Sequence, residues 1–124
     1  MVKSVAYIEE ESAWKIIVKT YFFDAKIYIE ILNPNAELKK YDVIILGYLK
    51  NYVSYYERIK EKNLEAKIII FGDNRIKAKL EKELKEQESI NPELVKEIRQ
   101  KISFYNRDAE KLHEVLKNIV EECK

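Results

Sequence analysis

The amino-acid sequence predicts a three-layer α/β/α fold in which helices cover both faces of a five-stranded, mostly parallel sheet. Short apolar segments alternate with longer segments whose apolar residues follow helical spacing, which is typical of chains built from strand–helix units. Two apolar segments, 43–46 and 68–71, are uninterrupted and therefore resemble strands that are buried on both faces. We expect one domain over residues 1–124, because a chain of this length buries one core.

The polarity of the predicted strands sets their order in the sheet. Residues 26–31 alternate polar and apolar side chains, so this second strand belongs at an edge, whereas the uninterrupted segments belong in the middle. The order 2-1-3-4-5 meets both conditions and keeps each crossover right-handed. Residues 33–41 are too few for a full helix. The predicted strands are 5–8, 26–31, 43–46, 68–71 and 102–105.

Polar residues before apolar stripes predict where the helices begin. Ser54 and Glu57 form a capping box that is expected to begin a helix. Pro92 suits the first position of another helix. Single residues expected to cap helices are Ser12, Asn91 and Asp108. The predicted core consists of Val5, Ile8, Val43, Ile45, Ile68, Ile70, Leu112, Leu116 and Ile119.

Composition excludes several classes of protein. The 23 basic and 22 acidic residues give a net charge of +1, whereas a dedicated nucleic-acid binder needs a basic excess. Cys123 is the single cysteine, which excludes a disulfide framework and favours a reducing compartment. With no signal sequence and no apolar run near the roughly 20 residues of a membrane span, we expect a cytoplasmic protein without membrane contact. The chain has only 2 Gly and 2 Pro and is rich in Lys and Glu, a composition that is typical of thermophile proteins.

Ligands of open parallel sheets bind beyond the carboxyl ends of the strands. Glu9 and Glu10, followed by Glu11, could hold Mg²⁺ there, or the three could simply be an acidic stretch stabilised by a helix N-terminus. Asp73 and Asn74 could add ligands or could cap the next helix. No other cofactor is expected. The candidate ligand mouth comprises Glu9, Glu10, Gly47, Asp73, Asn74 and Arg107.

Three segments resemble the receiver domains of response regulators, which have a chemotaxis-type, flavodoxin-like fold. These segments are 41–47 (YDVIILG), 66–71 (AKIIIF) and 108–112 (DAEKL), within a general likeness that runs from Val5 to Val120. The resemblance implies the sheet order given above. It also implies a phosphorylation site whose parts can be compared residue by residue.

Receivers carry an acidic pair after the first strand, an acceptor Asp after the third, a Ser or Thr after the fourth and a Lys after the fifth. The resemblance matches Glu9 and Glu10 to the acidic pair. It places Gly47 at the acceptor position and Gly72 at the hydroxyl position, and it offers only Arg107 near the Lys. Since phosphoryl transfer needs a nucleophile, a divalent ion and a cation, we expect a non-catalytic regulatory domain that binds proteins without being phosphorylated.

Two other functions fit the same strand ends. Metal-dependent nucleases and phosphotransfer enzymes of Toprim-like type also carry a Glu after the first strand, and Glu9 with Glu10 meets that condition. They also need an Asp-x-Asp pair after a later strand, which residues 47–49 do not provide. A small-ligand sensor that uses the same mouth is the third interpretation.

Two aromatic groups are candidate interfaces with a protein partner. Phe104 and Tyr105 lie on the predicted edge strand 102–105, and in receivers the face around the fifth strand carries dimerisation. We therefore expect a homodimer through that edge; the alternative is a monomer in which residues 75–101 cover the edge. The second group could bind a partner or could lay its rings over the sheet, and it consists of Tyr48, Tyr52, Tyr55 and Tyr56.

Overall fold

The computed structural model describes residues 3–108 and 110–124, and these residues form five strands and five helices. The strands are β1 (Val5–Ile8), β2 (Glu30–Leu32), β3 (Val43–Leu46), β4 (Lys67–Gly72) and β5 (Ile102–Asn106). The helices are α1 (Ser12–Asp24), α2 (Tyr52–Lys62), α3 (Asn74–Glu88), α4 (Pro92–Lys101) and α5 (Leu112–Glu122). The strands pair in parallel in the order β2-β1-β3-β4-β5, which confirms the predicted α/β fold and strand order.

The three central strands build both layers of the core. Every residue of β1 and β3 is buried, because helices cover both faces of the sheet there. Successive side chains point to opposite faces, so each central strand serves both layers. One layer packs against α2, α3 and α4 and includes Ile8, Ile44, Leu46, Ile68 and Ile70. The other packs against α1 and α5 and includes Val5, Tyr7, Val43, Ile45, Ile69 and Phe71.

The edge strand β2 is shorter than predicted. Its pairing with β1 begins at Glu30, opposite Ala6, and β1 itself begins only one residue earlier. Residues 26–28 therefore have no residue of β1 opposite them to pair with. Lys26 has a φ of 60°, a left-handed conformation that turns the chain after α1, so the predicted strand over 26–31 is wrong in its first half.

Two of the predicted helix caps are wrong because a neighbouring residue begins the helix. Ser12 is already inside α1, where Glu11 is the N-cap residue and makes no side-chain cap hydrogen bond. α2 begins before the predicted capping box, since Asn51 is the cap and its side chain accepts a hydrogen bond from Ser54 N at 2.8 Å. Both helices thus begin slightly earlier than their sequence signals indicated.

The caps of the last two helices differ in outcome. Asn91 caps α4 as predicted, accepting a hydrogen bond from Leu94 N at 3.2 Å. Asp108 does not cap α5, because its carboxylate instead accepts a hydrogen bond from Asn74 N at 3.1 Å. α5 begins at Leu112, which is half-buried and so is not a full core residue as predicted. None of the helices in the described ranges has the length and apolar character needed to cross a bilayer.

The connection from β2 to β3 contains no helix among residues 33–42, in line with the short spacing noted in the sequence. Arg58 of α2 and Asn63, the residue that follows α2, hold this segment with their polar side chains. Arg58 Nη1 donates to the carbonyl of Pro34 at 2.6 Å. Asn63, which is buried, accepts from Tyr41 N at 2.7 Å and donates to the carbonyl of Lys39 at 2.9 Å. Hydrogen bonds made by the side chains of Arg58 and Asn63 therefore hold a segment that has no helical hydrogen bonds of its own.

Candidate functional site

Glu9, the first residue after β1, is a fully buried carboxylate at the carboxyl end of the sheet. Its Oε1 accepts hydrogen bonds from Tyr7 Oη at 2.7 Å and Arg107 Nη1 at 2.6 Å. Its Oε2 accepts from the backbone N–H groups of Tyr48 at 2.8 Å and Glu11 at 3.2 Å. Two carboxylate oxygens offer about four acceptor sites, so these four donors occupy all the hydrogen-bond acceptor sites of Glu9.

Arg107 provides the positive charge that makes this burial tolerable. Its side chain is 0% exposed, and the 2.6 Å contact with Glu9 forms a buried ion pair. The guanidinium lies 4.4 Å from the ring centre of Trp14 and 5.9 Å from that of Phe71. Among the described residues its Nε and Nη2 have no hydrogen-bond partner, and Nη2 lies 3.6 Å from Glu11 Oε2. The aromatic faces therefore take the place of hydrogen-bond acceptors on that edge.

Gly47 leaves the room that the Glu9 carboxylate occupies. A Cβ added to Gly47 would lie 2.0 Å from Glu9 Oε1 and 2.8 Å from Tyr7 Oη. Gly47 does not have a positive φ, so space and not backbone conformation demands a glycine here. The position that the resemblance assigns to a phosphate acceptor is thus filled from the side by another carboxylate.

Tyr7 and Tyr52 brace the site; Tyr7 was not among the predicted site residues, and Tyr52 was predicted as an interface residue instead. Burial, followed by the neighbouring Glu9, raises the pKa of Tyr7 far above its ordinary value, so its hydroxyl stays protonated and donates to Glu9. Tyr52 Oη donates to the carbonyl of Gly47 at 2.7 Å and accepts from Leu49 N at 3.2 Å. Tyr7 and Glu9 are two residues apart at the end of β1, a spacing that places extended-chain side chains on the same face, and this signal could have paired them.

An exposed ion pair lies across the outside of the mouth. Arg75 Nη2 donates to Glu11 Oε1 at 2.7 Å and lies 3.7 Å from Asp73 Oδ2. Its guanidinium stacks 4.9 Å from the ring centre of Tyr48, whose backbone N–H binds Glu9. Residues at the N-terminal ends of α1 and α3 are therefore linked in front of the buried pair. The roles of Trp14 and Arg75 were not predicted, because they depend on contacts between residues that are distant in the sequence.

The remaining candidates of the mouth have other roles or lie apart. Asp73 caps α3, its Oδ1 accepting from Ile76 N at 2.9 Å. Asn74 is exposed and uses its backbone N–H to bind Asp108. Glu10 is also exposed, and it does not join Glu9 as a side-by-side carboxylate pair. Within residues 3–108 and 110–124, no three His, Cys, Asp or Glu side chains converge as a metal site would need.

The tyrosines of α2 are buried, which leaves little of them for a partner. Tyr52, Tyr55 and Tyr56 are between 2% and 8% exposed and pack in the layer formed by α2, α3 and α4. Burial raises the pKa of all three hydroxyls above their ordinary values. Their rings lie over the sheet, the second of the two arrangements that the sequence left open. Tyr48 is half-exposed beneath Arg75.

The aromatic pair on the edge strand β5 is half-buried. Phe104 packs on the layer of α2, α3 and α4, with the Lys77 ammonium 5.8 Å from its ring centre. Tyr105 packs on the opposite layer, and its hydroxyl donates to Glu122 of α5. Both side chains therefore make contacts within the chain, and part of each remains accessible at the edge.

Comparison with known proteins recovers the fold and no family. No protein-family model matches the chain, and no curated protein sequence matches it. A solved structure described as "The crystal structure of adenylate cyclase from Rhodopirellula baltica" is similar, with a TM-score of 0.54. The match covers 98% of this chain and 94% of that chain at 8% sequence identity, so it shows the fold alone.

Proposed function

We propose that this chain is a non-catalytic, receiver-like regulatory module that binds proteins and works without aspartyl phosphorylation. The observation that carries the proposal is the buried ion pair of Glu9 with Arg107, 2.6 Å apart, beside Gly47. In a receiver this corner would hold an acceptor carboxylate, a metal ion and a phosphoryl group. Here an internal carboxylate and an internal cation fill it.

The groups that phosphoryl transfer requires are not available at this corner. Gly47 offers no nucleophile, and the Glu9 oxygens already accept four hydrogen bonds. Mg²⁺ demands near-ideal octahedral geometry from oxygen ligands, and a carboxylate with occupied acceptor sites is poorly suited to it. Arg107 Nη1 is committed to Glu9, so it is not free to bind a phosphoryl oxygen. Because these groups are already bonded to each other, the corner fits a structural role better than a site that is switched by phosphorylation.

The alternative functions receive less support from the same geometry. A Toprim-like metal enzyme needs accessible carboxylates, whereas Glu9 is fully buried and Glu10 stands alone on the surface. A small-ligand sensor would need charged groups free to bind its ligand, whereas Arg75 and Glu11 at this mouth are paired with each other. The name of the similar structure, an adenylate cyclase, is not extended to this chain, because an identity of 8% carries the fold only.

The proposed setting is cytoplasmic signalling in a thermophile-like protein. The free thiol of Cys123 is buried, and burial raises its pKa to about 12, so the thiol stays protonated at neutral pH and is a poor nucleophile. A second copy of the chain is the first protein partner to test. The β5 edge with Phe104 and Tyr105 is one surface for it, and Tyr105→Glu would weaken a dimer formed there.

Incubation with acetyl phosphate and Mg²⁺, followed by intact-mass measurement, tests the proposed function. We expect no phosphoryl adduct on the wild-type chain. Gly47→Asp should also stay unlabelled, since the hydroxyl and lysine positions hold Gly72 and Arg107. An acid-labile phosphoryl group on any aspartate of the wild-type chain would overturn the proposal, and a receiver with an intact site serves as the positive control.

A further inference from the structure

The outer face of α1 is apolar, although this protein is 36% charged. Ile16, Ile17 and Phe23 are 65%, 39% and 80% exposed. Tyr28, four residues after the end of the helix, is 75% exposed and lines a shallow groove together with Phe23. We define the α1 surface as Ala13, Ile16, Ile17, Thr20, Phe23 and Tyr28, of which Ala13 and Thr20 are also exposed.

Other outer helix faces of the protein are made differently. The exposed side chains of α3 are mostly charged, among them Arg75, Lys77, Lys82, Lys85, Glu86 and Glu88. α1 already has a core-facing side, formed by Val18 and Phe22 with Trp14 beside them. Its apolar outer side is therefore additional to what the fold needs. Contiguous exposed apolar patches mark interaction sites, and Lys19 and Asp24 provide exposed charges beside this one.

We propose that the α1 surface binds a second copy of this chain across a twofold axis, with the two α1 helices antiparallel. The charges at the two ends of α1 indicate that the partner is a second copy and that the two helices run antiparallel. Glu10 precedes α1 and Lys26 follows it, and both are exposed. In the described part of the chain, neither has an oppositely charged group within 4.0 Å. Antiparallel pairing brings Glu10 of each copy to Lys26 of the other, whereas parallel pairing would oppose like charges.

The same register matches side-chain sizes across the axis. If Glu10 faces Lys26, then Phe23 comes opposite Ala13 and Ile16 comes opposite Thr20. Phe23 and Ile16 therefore each meet a small side chain, as close packing requires, whereas Ile17 comes opposite Lys19, whose aliphatic stem can pack against it. The twofold axis repeats every one of these pairs, so the surface is complementary to itself, as an interface of this symmetry must be.

The apolar area is in the range that a dimer uses. A Phe or Tyr ring buries about 150–250 Å², so Phe23 and Tyr28 together offer roughly 250–400 Å². A standard interface takes about 800 Å² from each partner. Ile16, Ile17 and the flanking polar residues would supply the rest along a 13-residue helix about 20 Å long. This inference rests on the proposed function, because it names the partner of a module that acts through protein contacts.

Analytical ultracentrifugation of the full chain, without phosphodonor or Mg²⁺, tests the inference. We expect a dimer for the wild type and a dimer weakened at least about tenfold for Ile16→Lys, because the lysine would be desolvated at the centre of the interface. Ile90→Lys is the matched control, since Ile90 is 76% exposed in the turn between α3 and α4, and it should keep the wild-type dimer. Circular dichroism verifies that each variant is folded.

A charge swap makes the test independent of the apolar substitution. Glu10→Lys and Lys26→Glu should each weaken the dimer by roughly two- to tenfold, and the double variant should recover most of that loss. A wild-type chain that stays monomeric at high micromolar concentration overturns the inference, whichever other protein the surface binds. A dimer that tolerates Ile16→Lys but not Tyr105→Glu also overturns it and assigns the contact to β5. Neither result affects the phosphodonor experiment, so the two proposals fail separately.

Discussion

The carboxylate of Glu9 lies in the space that a side chain on Gly47 would need. The two residues follow neighbouring strands, and an added Cβ on Gly47 would come within 2.0 Å of Glu9 Oε1. The Gly47 backbone N–H also donates to the carbonyl of Ile8, 2.9 Å away, which fixes the strand ends at this spacing. The buried position of Glu9 therefore depends on glycine at position 47, and a substitution at either position should affect the other.

Gly47→Ala should lower the free energy of unfolding by about 2–4 kcal/mol, because the new methyl group would push Glu9 away from Arg107. Urea unfolding of the wild type and the variant measures this cost. In a Glu9→Ala background the same substitution should cost much less, since the clashing carboxylate is gone. Equal costs in both backgrounds would contradict the account of why residue 47 is glycine.

Arg107→Met should cost about 3–5 kcal/mol of stability, because it leaves the Glu9 carboxylate buried without its counter-charge. The double variant Glu9→Gln with Arg107→Met should cost less than the sum of the single variants. Arg99→Met is the control, as Arg99 and Glu81 form an ion pair on the surface and such pairs contribute about 1 kcal/mol or less. Strict additivity of the Glu9 and Arg107 variants would mean that the two residues are not coupled.

Most of the fold was predictable because it follows from polarity along single strands. The uninterrupted runs 43–46 and 68–71 are central strands, and the half-polar segment before Leu32 is an edge. Helix ends were less predictable, since several polar residues compete to cap each one. Asn51 and Ser54 lie within three residues of each other, and the structure uses the earlier one.

The candidate site was predictable only in part. Glu9, Gly47 and Arg107 were each chosen because they follow strand ends, and parallel strands bring those ends to one edge. Their mutual contacts were not predictable, because a sequence does not show whether a Glu turns inward to a cation or outward to solvent. The inward turn depends on Tyr7 and Arg107, residues separated from each other by most of the chain.

Ile45→Ala and Ile69→Ala should each cost about 2–5 kcal/mol, as deletions of buried aliphatic groups do. Both side chains are at most 1% exposed in the layer covered by α1 and α5. Ile90→Ala is the matched control and should change stability by less than about 0.5 kcal/mol, because Ile90 is on the surface. Equal unfolding midpoints for the three variants would show that the central strands are misplaced.

Stability at alkaline pH should depend on Tyr105. The hydrogen bond to Glu122, together with burial, raises the pKa of Tyr105 to about 12, against about 10 in an unfolded chain. A raised pKa contributes stability that is fully present below pH 10 and is lost as the pH rises through 12. Between these values the free energy of unfolding should therefore fall more steeply for the wild type than for Tyr105→Phe. Parallel pH profiles would contradict the hydrogen bond to Glu122.

The central claim, that Glu9 and Arg107 close the site of phosphoryl chemistry, is tested most directly by thermal melting in Mg²⁺. An ion that binds only the native state must raise the melting temperature, and at tenfold excess over its dissociation constant it stabilises by about 1.4 kcal/mol, or a few degrees for this size of protein. We predict the same melting temperature with millimolar Mg²⁺ as with NaCl of equal ionic strength. A saturable rise in Mg²⁺ alone that disappears in Glu9→Gln would show that the carboxylate is open to a metal ion, and would contradict the account.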